Sequence, residues 1–131
     1  MPAILSTVER FIGVFMSDCI FCKNIPRVME NDLVYAAYDI HPMTKGHTLI
    51  IPKRHFEQVF DATPQESHAI KDLLSQMKDA ITKEHAPDGF NIMINCGSAA
   101  GQVVMHAHIH LIPRYNGQVL HIREHLKGNT E

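Results

Sequence analysis

The sequence predicts an α+β domain, an antiparallel sheet with one long helix inserted between its strands. Three observations predict it. Short segments rich in strand formers recur, bounded by proline- and glycine-bearing turns. A single long stripe of 3.6-residue period separates the second strand from the third. Helices and strands do not alternate regularly, as a doubly wound fold requires. A chain of 131 residues accommodates one domain and can bury about two thirds of its unfolded surface.

Taken in order, Ile4, Leu5, Val8, Phe11, Ile12 and Phe15 fall at helical spacing, so residues 3–16 are expected to form an amphipathic helix. "DCIFCKNIP" follows as a short cysteine-bearing connection. "LVYAAYDI" (33–40) reads as a strand with one of Tyr35 and Tyr38 turned to the core, and "HPMTKG" as the turn after it. "HTLIIPK" (47–53) is a second strand, closed by Pro52. "TPQE" (63–66) opens the long helix, with Thr63 as the cap, Pro64 at the first helical position and Glu66 closing a capping box. Ile70, Leu73, Leu74, Met77 and Ile81 form its apolar stripe, which runs to about Ala86 before "PDG" stops it. "FNIMINCG" (90–97) alternates Asn91, Met93 and Asn95 against Ile92, Ile94 and Cys96, a third strand with Cys96 assigned to the core. "GSAAGQ" is a glycine-bounded loop, and "VVMHAHIHLIP" (103–113) is the fourth strand.

Composition narrows the function. A net charge of −2 with neutral histidines provides no basic field to recruit nucleic acid by counterion release. No run of about twenty apolar residues offers a membrane span. The N-terminal stretch lacks an early basic region and carries Glu9 and Arg10 among its apolar residues, unlike a signal peptide. Three cysteines, two of them in "CIFC", suit free thiols or a metal site in a reducing compartment, and the cytoplasm is the expected location.

The chemistry concentrates in "HAHIH". Alternate residues of a strand share a face at a pitch of roughly 6 to 7 Å, so His106, His108 and His110 are expected in one row. Solvated imidazoles on a polar strand face are the plain alternative. Three histidines could ligate a metal, but catalytic zinc draws on separate elements, and residues 90–115 contain no Asp or Glu for a two-metal site. A neutral imidazole is also a nucleophile toward phosphorus. The loop "NCGSAAGQ" adds small residues whose amides can approach phosphate oxygens, with Asn95 and Gln102 as uncharged side-chain donors. The phosphate reading accounts for both the histidines and the loop.

These residues resemble the signature of the histidine triad (HIT) family, H-φ-H-φ-H-φ-φ with φ apolar, filled here by His106 to Ile112. "CIFCK", "YDIHPMTKGHTLIIPKRH" and "NCGSAAGQ" follow the family's order, so the likeness covers residues 18–115. It implies a HIT-type sheet with a long helix between strands, residues 1–17 as an N-terminal helical extension, and 18–131 as the HIT domain with its C-terminal tail. His110 at the third position, rather than glutamine, is similar to the hydrolase branches. The resemblance implies His108 as the nucleophile on the α-phosphate of a purine nucleotide, His110 as a phosphate donor, and His47 as their support. It implies Asn95, Gly101 and Gln102 around the phosphate, Asp39 on the ribose, and Ile40, Ile20 and Phe21 around the base. The implied reaction hydrolyses nucleoside phosphoramidates or dinucleoside polyphosphates, requires no metal, and belongs to a homodimer.

Three departures stand out. Val103 replaces a common Ser or Thr, Ala37 replaces a common aromatic, and "CKNIP" is shorter than usual. Val103 keeps open a second reading, a zinc-stabilised module that binds AMP with little or no catalysis. A third is a metal-dependent hydrolase with the triad as its ligands. As a redox pair, "CIFC" lacks the strand-before, helix-after setting of a thioredoxin-like motif. Relatives with this CxxC imply a structural zinc site of Cys19, Cys22, His55 and His106; two apolar-packed thiols are the alternative. His41, His68, His85, His121 and His125 are read as solvated.

Overall fold

The computed structural model describes residues 18–120. The expected helix at 3–16 and the tail from 121 onward lie outside the described residues. Five strands form one antiparallel sheet: β1 (Met29–Glu30), β2 (Val34–Tyr38), β3 (Thr48–Pro52), β4 (Gly89–Met93) and β5 (Ile109–Arg114), in the spatial order β1-β2-β3-β5-β4. The helix α1 (Pro64–His85) joins β3 to β4. The α+β expectation holds, with β1 as a strand that the sequence reading did not separate.

α1 begins where its capping box says it should. Thr63 Oγ1 accepts the Glu66 amide at 3.1 Å, and Glu66 Oε1 accepts the Thr63 amide at 2.9 Å. The helix ends at Ala86, held at φ 49°. Ile70, Leu73, Met77 and Ile81 are buried against Val34, Ala36, Ile50, Ile109 and Leu111 of the sheet. Each such side chain contributes roughly 1.5–3 kcal/mol by leaving water.

Strand register separates that core from the site. Ala36, Ile50 and Ile109 pair across β2, β3 and β5 and face the helix; the next row, Ala37, Leu49, His110 and Met93, points the other way. A slip of one residue would drive His110 into the aliphatic core. On this second face Tyr35, Ala37, Leu49 and Ile51 pack with Cys19 and Phe21. Tyr35 is the core tyrosine; Tyr38 is exposed.

All four expected strands are shorter than the sequence predicts, and in two of them the difference moves site residues. β4 ends at Met93, so Asn95 and Cys96 belong to the following loop, and Cys96 is half-buried rather than core. As an edge strand β4 also leaves Ile92 exposed, and Ile94 beyond it. β5 starts at Ile109, leaving His106 and His108 on unpaired backbone ahead of the ladder. That release lets the three histidines turn to different tasks.

Candidate active site

A cavity of about 660 Å³ opens on the sheet face away from α1. Its walls are mostly apolar, and Ile20, Phe21, Asp39, Ile40, Asn95, Gly101, His108 and His110 all line it. Volume and character suit a small organic ligand held by a few polar groups. Tyr38 and His41 line it too. His41 was expected merely in solvent; it is exposed but stands at the cavity, its amide donating to Asp39 Oδ1 at 2.9 Å. Strand alternation predicts that Tyr38 shares a face with Ala36, so period alone could not have placed it here.

The histidines are held in defined protonation patterns. His108 Nδ1 lies 2.8 Å from the carbonyl oxygen of His106. A carbonyl only accepts, so the proton is on Nδ1 and Nε2 carries the lone pair. The Met43 amide donates to His47 Nδ1 at 3.0 Å, which puts the His47 proton on Nε2. From there it is given to His110 Nδ1, 3.0 Å away. His110 therefore keeps its proton on Nε2. The two cavity-lining rings are complementary: His108 with a lone pair at Nε2, His110 with a donor.

Burial keeps both rings neutral. It lowers His108 below the ordinary imidazole range, and it lowers His110 to about 3, with His108 and His47 acting in the same direction. Neutrality is what a nitrogen nucleophile requires. Phe21 packs its ring against His108, centroids 5.1 Å apart and 70° between planes.

The loop wall differs in part from expectation. Asn95 and Gly101 line the cavity, and Gly101 adopts φ +93°, a conformation that favours glycine. Gln102 does not face the cavity. Its Oε1 accepts the Gly97 amide at 2.7 Å, and its Nε2 donates to the carbonyls of Glu57 and Val104 at 2.7 and 3.1 Å. Its side-chain amide is engaged on the loop and on the Glu57 carbonyl. Val103 stands on the cavity wall with no hydroxyl. His68 is solvated, 3.3 Å from Asp72, whereas His85 is half-buried beside Gly46.

His106 turns away to a separate cluster. Its Nε2 donates to the Pro52 carbonyl at 2.8 Å, which leaves a lone pair on Nδ1. That Nδ1 lies 3.4 Å from Cys19 Sγ, 3.5 Å from Cys22 Sγ and 3.1 Å from His55 Nδ1. The four ligand atoms all lie within 4.8 Å of one another and could hold a metal ion. Burial and the neighbouring Cys19 thiol push Cys22 up to about 12, and burial lowers His106 to about 4. Two thiols beside a neutral imidazole whose lone pair is aimed at them are the donor set that zinc would deprotonate and join.

Asp39, His47 and His110 make a second compact group, with Asp39 Oδ2 3.5 Å from His47 Nε2. Asp39 supplies the carboxylate that residues 90–115 lack. A cation there would need the His47 Nε2 lone pair, but the Met43 amide already takes the lone pair on Nδ1 and one nitrogen must keep the proton. With His106 in one group, His110 in another and His108 in neither, the triad does not converge on a single ion. The reading of the triad as one metal's ligands fails on that divergence.

Comparison with known proteins agrees with this arrangement. The HIT domain family model matches residues 24–117. "Adenylylsulfatase HINT3" of Arabidopsis thaliana is 37% identical over 124 residues, covering 90% of this chain and 63% of that protein's length. "Protein hit" of Bacillus subtilis is 43% identical over 104 residues, 75% of this chain and 72% of that one. The crystal structure of a zinc-bound histidine triad family protein from Mycobacterium smegmatis superposes with a TM-score of 0.73 at 32% identity, covering 88% of this chain and 97% of that one.

Proposed function

The chain belongs to the HIT domain family, and on that premise we propose that it is a nucleotide hydrolase acting through a nucleotidyl-histidine intermediate. Its substrates are purine nucleoside phosphoramidates or dinucleoside polyphosphates. The observation that carries this reading is the His108 tautomer: with the Nδ1 proton committed to the His106 carbonyl, Nε2 presents a lone pair at the cavity. The relative named as an adenylylsulfatase supports an adenylate as the substrate class.

The base lies among Ile20, Phe21 and Ile40, the ribose hydroxyls donate to Asp39, and the α-phosphate sits beside Asn95 and Gly101. His108 Nε2 attacks the α-phosphorus. The N–P bond forms as the bond to the leaving group breaks, its electron pair departing with that group, which takes a proton from solvent when it is an amine. His110 Nε2–H donates to a phosphoryl oxygen, a role in which a single preorganised donor is worth about 10²–10³-fold in rate. Water then adds to phosphorus, the N–P electrons return to Nε2, and the water's proton passes to solvent. Zinc held by Cys19, Cys22, His55 and His106 would supply a structural cross-link and takes no part in these bond changes.

Three broader statements belong to the proposal. A homodimer is supported by the exposed Ile92 and Ile94 along the β4 edge. A cytoplasmic location is supported by free Cys19, Cys22 and Cys96; among the described residues no helix is long and apolar enough to cross a membrane. The second reading, an AMP-binding module with little catalysis, is favoured by Val103 alone, since a missing proton donor can cost about 10²–10⁴-fold.

The test compares hydrolysis of an adenosine phosphoramidate and a diadenosine polyphosphate by the wild type and His108→Ala. Loss of turnover with AMP binding retained supports the hydrolase. Undiminished turnover in the variant overturns it. AMP binding without turnover in both the wild type and Val103→Ser supports the binding module instead.

A further inference from the structure

The four-ligand cluster and the cavity are built from the same short segments. Ile20 and Phe21 line the cavity, and they are the two residues between Cys19 and Cys22. The Phe21 ring meets both His108, at 5.1 Å, and His106, at 5.9 Å. The backbone of His106 accepts the His108 Nδ1 proton while its side chain faces the two sulfurs. Next to His55, the carbonyl of Phe56 accepts the Ala107 amide at 2.7 Å, pinning the residue between His106 and His108. Every ligand is thus one covalent step from a group that orients the nucleophile or walls the cavity.

We infer that a divalent cation at Cys19, Cys22, His55 and His106 is an effector of the nucleotide site, with Phe21 as the positioning residue that carries the coupling. A cation fixes the spacing of the CxxC turn against His106. That fixes both the Phe21 ring against His108 and the His106 carbonyl at its Nδ1, so one His108 rotamer and one tautomer are selected. The turn keeps its own backbone bond, Cys22 amide to Cys19 carbonyl at 3.1 Å, and the Tyr35 hydroxyl donates to the Phe21 carbonyl. Without the cation the two sulfurs meet His55 and His106 only through thiol–imidazole contacts of 3.1 to 3.5 Å, and the placement of the turn against His106 loosens. By linkage the coupling is reciprocal: a nucleotide that needs the ordered wall must tighten the cation by the same factor. The affinity half of this inference rests on the nucleotide reading above; the ordering of His108 does not.

The experiment uses the full chain, zinc-loaded and chelator-treated, with retained far-UV circular dichroism as the check on folding. Long-range ¹H–¹⁵N spectra of the histidine rings read His108 directly, and calorimetry reads AMP affinity. With zinc, His108 is expected as a single Nδ1–H tautomer; without it, as an averaged or mixed one. AMP affinity is expected to fall about tenfold on chelation, and zinc affinity to rise about tenfold at saturating AMP, within the usual range of coupling between sites. Phe21→Ala is expected to keep zinc, measured by metal analysis, while the zinc dependence of both signals largely disappears. An unchanged His108 signal on zinc removal overturns the inference, as does a Phe21→Ala protein with undiminished coupling. If removal of zinc unfolds the chain, the comparison of Phe21→Ala with wild type by zinc affinity with and without AMP decides it: equal linkage in the two overturns the inference. A zinc-dependent His108 signal with no AMP binding by the loaded protein overturns the nucleotide reading and leaves the ordering of His108 standing.

Discussion

His47 Nε2 lies 3.0 Å from His110 Nδ1, and the direction of that hydrogen bond is set from behind, because the Met43 amide donates to the other nitrogen of His47. A backbone amide therefore decides which nitrogen of His110 carries a proton two rings away. The relay turns His110 into a donor at the cavity without charging it.

His47→Ala removes the donor to His110 Nδ1 and frees that ring to carry its proton on the wrong nitrogen. The expected loss in kcat is about 10²-fold, the cost of one transition-state donor, with a smaller change in KM. His47→Gln can place an amide N–H near the original Nε2 and is expected to recover much of the loss. Steady-state kinetics of the two variants check the relay; equal damage in both would contradict it.

Acid is expected to destabilise the fold through His110. In the unfolded chain this histidine takes up a proton near 6.5, whereas burial, reinforced by His108 and His47, holds the folded value at about 3. Between these values the unfolded state binds more protons, so stability rises with pH and is lost as pH falls through this window. One such group contributes a slope of about 1.4 kcal/mol per pH unit. Urea unfolding at roughly pH 7, 6 and 5 measures the slope, and His110→Asn is expected to flatten it.

Thr63→Ala tests the scaffold apart from the chemistry. It removes the acceptor for the Glu66 amide at the start of α1 and is expected to cost about 1 kcal/mol. Glu66 remains held by Arg54 at 2.8 and 3.0 Å, and the cavity lies on the opposite sheet face. The melting temperature should fall by a few degrees while kcat/KM stays unchanged.

Val103→Ser puts a hydroxyl on the cavity wall. If departure of an amine leaving group limits turnover, hydrolysis of an adenosine phosphoramidate should accelerate by about 10²-fold, the lower end of what a proton donor contributes. An adenylate whose leaving group departs as a stable anion should change little. The ratio of the two rates is the measurement.

The sequence made the scaffold legible because its signals are local. Thr63, Pro64 and Glu66 mark one helix end, and the stripe from Ile70 to Ile81 marks the buried face. Strand ends were less legible. β4 stops at Met93 and β5 starts at Ile109 because ladder hydrogen bonds depend on a neighbour that periodicity does not reveal. The same limit explains the triad. Alternation predicts three rings in a row, but with His106 and His108 outside the ladder, one ring joins the sulfurs and another faces the cavity. His55 and His106 are 51 positions apart, and only the family likeness joined them to the CxxC. The residue type of Gln102 announces donors, whereas its partners Gly97, Glu57 and Val104 are visible only in the fold.

The central claim is that His108 Nε2 bonds to phosphorus, and intact-protein mass spectrometry after brief mixing with a slowly released adenylate donor tests it most directly. The account predicts an adenylyl adduct that maps to His108, is labile in acid, and is absent from His108→Ala. Turnover of the same donor with no adduct at any mixing time, or an adduct on another residue that persists in His108→Ala, would contradict it.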